Sequence, residues 1–212
     1  MKKIMALMLA AIMMMAMSVT AFAAEGATPA AAGANTLTVN VKSGAGVPTQ
    51  TLKDQTIYLY KLFDVTESGT TGSKNYAYTV NTATGYKEVL VAALNNSAIT
   101  ESSTDEAIAD AVRNIGNNDS TEVQNFANAF TTQALTKNPK LDATANSGKL
   151  GDVTFYEFTG LDSGYYLVYV TGGKEIQSSL VTVDADTTTV NLKSETPSCC
   201  LWINSISISE SR

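Results

Sequence analysis

The chain must do any chemistry without imidazole. Its 212 residues include no histidine, which removes Ser-His-Asp and Cys-His hydrolysis, His-ligated zinc and haem, and most general-base schemes. The carboxylates are dispersed, with no D-x-D-x-D-G run for calcium. No Gly-rich loop joins a strand to a helix, as a nucleotide site requires. A carboxylate pair for glycoside hydrolysis needs only two residues brought together by the fold and stays open on that ground, but no residues single one out. The reading is therefore of a protein that is not an enzyme, with no catalytic residue, no metal and no cofactor. Two features near the end of the chain retain chemical interest. The alternation Val190-Asn191-Leu192 runs into Lys193, and a short polar linker with Pro197 leads to Cys199 and Cys200. Adjacent cysteines rarely satisfy disulfide geometry with each other, so the fold is not expected to be stapled.

The first residues address the chain for export. "MKKIMALMLAAIMMMAMSVTAFA" has two lysines, an apolar run from Ile4 to about Val19, and small residues at Ala21 and Ala23. This is the order of a secretory signal peptide with cleavage after Ala23; the apolar run is shorter than the roughly 20 residues needed to span a bilayer. All seven methionines fall within the first 17 residues. Cleavage leaves 12 basic against 20 acidic residues, a net charge of −8. Such a chain repels phosphate backbones and anionic headgroups, so neither nucleic acid nor a membrane surface is an expected partner, and no later stretch is apolar enough to be read as a span.

The elements that must carry these residues follow from periodicity. Residues 24–34 are an Ala/Gly-rich leader. "NTLTVNVKS" (35–43) alternates as a half-buried strand, and "QTIYLYKLFDVT" (55–66) is apolar on both faces, as a strand buried on both sides would be. "NYAYTVN" (75–81) completes a hairpin. Over 86–95, 104–115 and 120–135 the apolar period changes to three and four, which predicts short amphipathic helices. Strands return at 152–161, 164–170, 178–183 and 187–193. Closely spaced strands with turn signals between them predict a mainly β chain, a Greek-key β-sandwich with a helical insertion at about 86–135. The expected core includes Leu37, Val39, Ile57, Leu59, Leu62, Phe63, Leu167 and Val181.

Four segments in order are more specific. "YLYKLFDVT" (58–66), "YAYTVN" (76–81), "FTGLDSGYYLVYV" (158–170) and "TTVNLKSETPS" (188–198), preceded by a signal peptide, resemble the N-terminal domain of sortase-assembled pilins of Gram-positive bacteria. The likeness covers about residues 35–198 and implies an immunoglobulin-like domain over 35–194 with a linker after it, so that 195–212 is read as linker and atypical tail. It implies a cell-surface pilus subunit involved in adhesion, with sortase and other pilin subunits as partners. In that family a lysine near the end of the first domain accepts the acyl group that sortase transfers. The matching position here is Lys193, although the family's Tyr-Pro before the lysine is replaced by Asn191-Leu192. The family also forms internal Lys–Asn amide bonds assisted by a buried acid, which need desolvated partners. The positions that could serve are Lys61 or Lys42, Glu157 and Asn191. Glu157 lies among Phe155, Tyr156 and Phe158, so it is either a buried acid requiring a partner or, by alternation, a residue of the wet face.

The last residues depart from this pattern. The only cysteines and the only tryptophan, Trp202, fall in 199–212, where the family continues into a further domain. The composition is read as a foreign or off-frame tail on a truncated pilin, or as one more strand. A different class of function is a self-contained secreted module that binds a host protein or glycan through the helical insertion or the tyrosines of 165–169.

Overall fold

Leu37, Val39 and Val41 alternate with half-buried Thr38 and Asn40 along β1 (Asn35–Val41), and the apolar set faces one way. This strand is the centre of a three-stranded sheet. It pairs antiparallel with β5 (Phe155–Leu161) and parallel with β8 (Thr189–Leu192). The computed structural model describes residues 33–41, 50–70, 73–117, 120–137, 139–172 and 178–192. The stretch expected to be a signal segment, with Ala23, most of the expected leader, Lys42, Lys193 and everything after it lie outside those residues.

The second sheet is built on β2 (Thr56–Thr70). One edge of β2 carries β6 (Gly164–Thr171), which in turn pairs with β7 (Ser179–Val183). The other edge is shared by β4 (Ala145–Lys149), along residues 56–59, and β3 (Ser73–Val80), along residues 63–70. Between β3 and β4 the chain forms α1 (Tyr86–Leu94), α2 (Asp105–Asn117) and α3 (Ser120–Thr136). The chain is thus mainly β, and its ladders are antiparallel except for β1 with β8.

Two apolar clusters result, and β2 contributes to both. Ile57 and Leu59 meet side chains from the three-stranded sheet, among them Leu37, Val39, Phe158, Val190 and Leu192. Tyr60, Leu62, Phe63 and Val65 instead pack with the helices, against Leu90, Ile108, Val112 and Phe130. The change of face occurs at a bulge. Lys61 is opposite Tyr166, Phe63 is opposite Tyr165, and Leu62 is the additional residue. One extra residue reverses the facing of everything after it, so Phe63 and Val65 join the helical side. All eight expected core residues are buried.

The helices form where the period predicted them. Ile108, Ala109 and Val112 of α2 are fully buried, as are Ala127, Phe130 and Ala134 of α3. The Thr104 hydroxyl accepts from the Ala107 N–H at 3.2 Å, capping α2. Three features differ from expectation. The β2–β3 ladder continues to Thr70 and Ser73, well past the expected end of β2 at 66. β5 begins at Phe155 rather than 152. β4 has no counterpart among the expected strands: "ANSGK" has no strand propensity and is recruited by the open edge of β2, where the Ser147 hydroxyl accepts from the Ile57 N–H at 3.0 Å.

Candidate functional site

The two most specific sequence segments meet in the folded chain. Tyr60-Lys61-Leu62-Phe63-Asp64 lies in register against Gly164-Tyr165-Tyr166-Leu167, from Tyr60 opposite Leu167 to Asp64 opposite Gly164. Gly164 lets the strands approach. A Cβ there would meet the Phe63 carbonyl oxygen at 2.8 Å and the Lys61 Cδ and Cγ at 2.9 and 3.0 Å. The aliphatic stem of Lys61 therefore crosses the glycine, and its amine reaches Asp64 at 2.5 Å and Asp162 at 3.4 Å. Further bonds fix this corner. The Asp162 carboxylate accepts from the Gly33 N–H at 2.6 Å, its backbone carbonyl accepts from the Tyr166 hydroxyl at 2.9 Å, and the Lys61 carbonyl accepts from the Asn81 side-chain amide at 2.7 Å.

Among the positions named for an internal amide bond, the described ones are not brought together. Lys61 is engaged by two carboxylates in the five-stranded sheet. Glu157 and Asn191 stand on strands flanking β1 in the other sheet, opposite Thr38 and Asn40, and both face outward. The reading of Glu157 as a buried acid is corrected by alternation. Tyr156 and Phe158 turn inward and stack edge-to-face at 4.8 Å, while Glu157 and Phe155 share the outer face, Phe155 being 55% exposed. Lys42 lies outside the described residues. The tyrosines offered as a binding surface are corrected likewise. Tyr165 and Tyr166 are buried, and only Tyr169 is half-buried.

Lys193 also lies outside the described residues, whereas the strand before it lies within them. β8 pairs with β1 from Thr189 opposite Thr38 to Leu192 opposite Val41. Its entry is set by a residue that the sequence did not single out. Asp184, the one carboxylate among the buried described residues, accepts from the N–H groups of Asp186 at 2.9 Å and Thr187 at 2.6 Å, and from the Tyr76 hydroxyl at 2.8 Å. Burial alone would raise its pKa. The Thr187 N–H, the Tyr76 hydroxyl and the Asp186 N–H, with the Lys74 charge nearby, outweigh burial and hold the carboxyl below its usual range. The spacing of an aspartate with the N–H groups two and three residues on is an Asx-type turn. That turn was legible as a turn in Asp184-Ala185-Asp186, but the Tyr76 contact from 108 residues away was not.

Among the described residues no group of three potential ligands could hold a metal ion. A cleft of about 180 Å³ between α1 and α3 is lined by Val89, Ala92, Gln133 and Thr136 and bridged by the Lys137–Glu88 ion pair. Comparison with known proteins gives no match to a family model, to a curated protein or to a solved structure.

Proposed function

We propose that this chain is a structural subunit of a sortase-assembled surface pilus, contributing an immunoglobulin-like N-terminal domain with Lys193 as the acceptor. The observation that carries the reading is β8. It is a short strand at the edge of its sheet, paired among the described residues with β1 alone, and Lys193 is the residue that follows its last ladder position at Leu192. An acceptor amine needs to stand where an acyl-enzyme can approach, and the end of an edge strand meets that need. Two sheets contributing to one apolar cluster, with the helices packed on the far side of the second sheet, support the sandwich part of the proposal.

The chemistry asked of the protein is slight. The free amine attacks the thioester carbonyl of the acylated sortase, an amide bond forms, and the enzyme's thiolate leaves. The test is to incubate the chain with a pilus-polymerising sortase and a labelled LPxTG-type peptide, and to map the label by mass spectrometry. Label on Lys193, abolished by Lys193→Ala, is the expected result; label absent or spread over other lysines refutes the assignment. The alternative of a secreted binding module would have to use a surface other than the buried Tyr165 and Tyr166; among the described residues the exposed large apolar side chains are Phe155, Val153, Tyr76 and, on the helical insertion, Leu135.

A further inference from the structure

The β2–β3 hairpin outruns its sheet. β6 begins at Gly164, opposite Asp64, so from Val65 to Thr70 the strand β2 is paired only with β3. The base of this ribbon is supported, since Val65 and Tyr78 belong to the helical cluster and Arg113 of α2 lies 5.1 Å from the centre of the Tyr78 ring; beyond that support a two-stranded ribbon is at best marginally stable in water. The turn after β7 lies beside this arm, because β7 pairs Val183 with Gly164 and the chain runs on past that point as Asp184. Lys74 and Tyr76, two residues apart on β3, point to the same face, and both reach the turn. The Tyr76 hydroxyl donates to buried Asp184, and the Lys74 amine bridges Asp186 at 2.6 Å and Glu67 at 2.8 Å. The turn leads directly into β8, whose first anchor is the Thr188 carbonyl accepting from the Thr38 N–H at 2.7 Å.

We propose that the arm is a strap, closed through Tyr76 and Asp184, that governs whether β8 stays docked on β1. The strand it controls is four residues long and at an edge of its sheet; Val190 and Leu192 bury its far part, whereas its leading end is held by the Thr188–Thr38 bond and by the turn before it. Deprotonated Asp184 organises both halves of the contact at once: the turn N–H groups on one oxygen and the tyrosine on the other. The ionisable groups that face it are Tyr76 and Lys74 from β3, Glu67 from β2 and Asp186 from its own turn. A carboxyl held below its usual range keeps the strap closed at neutral pH. The strap is lost only as pH falls through that lowered value, beneath the ordinary carboxylate range. Insofar as Lys193 is the acceptor, the strap also sets how firmly that lysine's strand is presented, a consequence that rests on the function proposed above.

The experiment is amide hydrogen exchange on the full chain, comparing residues 189–192 with the buried β6 segment 167–168. Tyr76→Phe removes one hydroxyl and leaves the ring in place. It is expected to speed exchange in β8 about ten-fold while β6 is unchanged. Asp184→Asn should do the same or more. In the unmodified chain, exchange corrected for its intrinsic pH dependence should show the same β8-specific loosening only as pH falls beneath the ordinary carboxylate range, and Asp184→Asn should abolish that pH dependence. Unchanged β8 exchange in Tyr76→Phe, or β8 and β6 loosening together, overturns the strap. Exchange reports on the strap whether or not Lys193 accepts an acyl group, so the two proposals fail separately.

Discussion

Replacing Gly164 by alanine tests the junction of β2 and β6 most directly. The added methyl would stand 2.8 Å from the Phe63 carbonyl oxygen and 2.9–3.0 Å from the Lys61 stem. The carbonyl belongs to the central ladder and cannot retreat. The stem can bend, but its amine is tied to Asp64 and Asp162. Overpacking of this kind costs about 1–3 kcal/mol, and an immovable backbone atom places this case at about 2–3 kcal/mol. For a domain of this size each kcal/mol lowers Tm by about 2–4 °C, so a fall of about 4–12 °C is expected in a thermal melt followed by circular dichroism. Gly151→Ala is the control. Nothing lies within 4 Å of a Cβ there, and its melt should be unchanged within about 0.5 kcal/mol. In a Lys61→Ala background the stem contacts disappear and the carbonyl contact remains, so Gly164→Ala should cost less but not become neutral. A Gly164→Ala protein that melts within a degree of its parent would refute the close-approach argument.

Phe130→Ala should destabilise by about 3–5 kcal/mol, since this buried ring stacks on Tyr60 of β2 at 5.3 Å as well as on Tyr86 and Phe126. Urea unfolding should remain a single transition, and a separate early loss of helix would contradict the shared cluster. Burial pushes Tyr86 and Tyr165 up to about 12. Their contribution is complete below about pH 10 and is lost as pH rises toward 12, because the unfolded chain releases those protons first; absorbance at the tyrosinate band should show a late-titrating class that coincides with alkaline unfolding. Glu157→Gln should leave stability within about 0.5 kcal/mol, and the intact mass should show no loss of ammonia from a Lys–Asn amide among Lys61, Glu157 and Asn191. A missing ammonia traced to those residues would overturn their assignment to separate sheets.

Periodicity carries most of what is legible in the sequence. The alternation in 35–41 and the three-four period in 104–115 are local signals, and local steric and burial rules decide them. The double-sided apolarity of 55–66 is visible too, although the sequence does not say that a bulge at Leu62 divides its faces between two clusters. What stays hidden is non-local. β4 owes its existence to a vacant edge, the parallel pairing of β8 joins the two ends of the domain, and Asp184 acquires its tyrosine from a distant hairpin. Glu157 shows the opposite error: its aromatic neighbours in sequence suggest burial, yet the period-two rule turns adjacent side chains to opposite faces and decides the matter.

The pairing of β1 with β8 also has a temporal side. Thr38 meets Thr189, a partner roughly 150 residues later in the chain, and its other neighbour, β5, comes more than 100 residues after it. At about 5–20 residues per second, synthesis alone separates first strand from last by roughly eight to thirty seconds. Until β5 is made, Leu37, Val39 and Val41 have no described sheet partner, and the three-stranded sheet cannot be completed before β8 emerges. The segment in greatest need of protection from aggregation is the one made first.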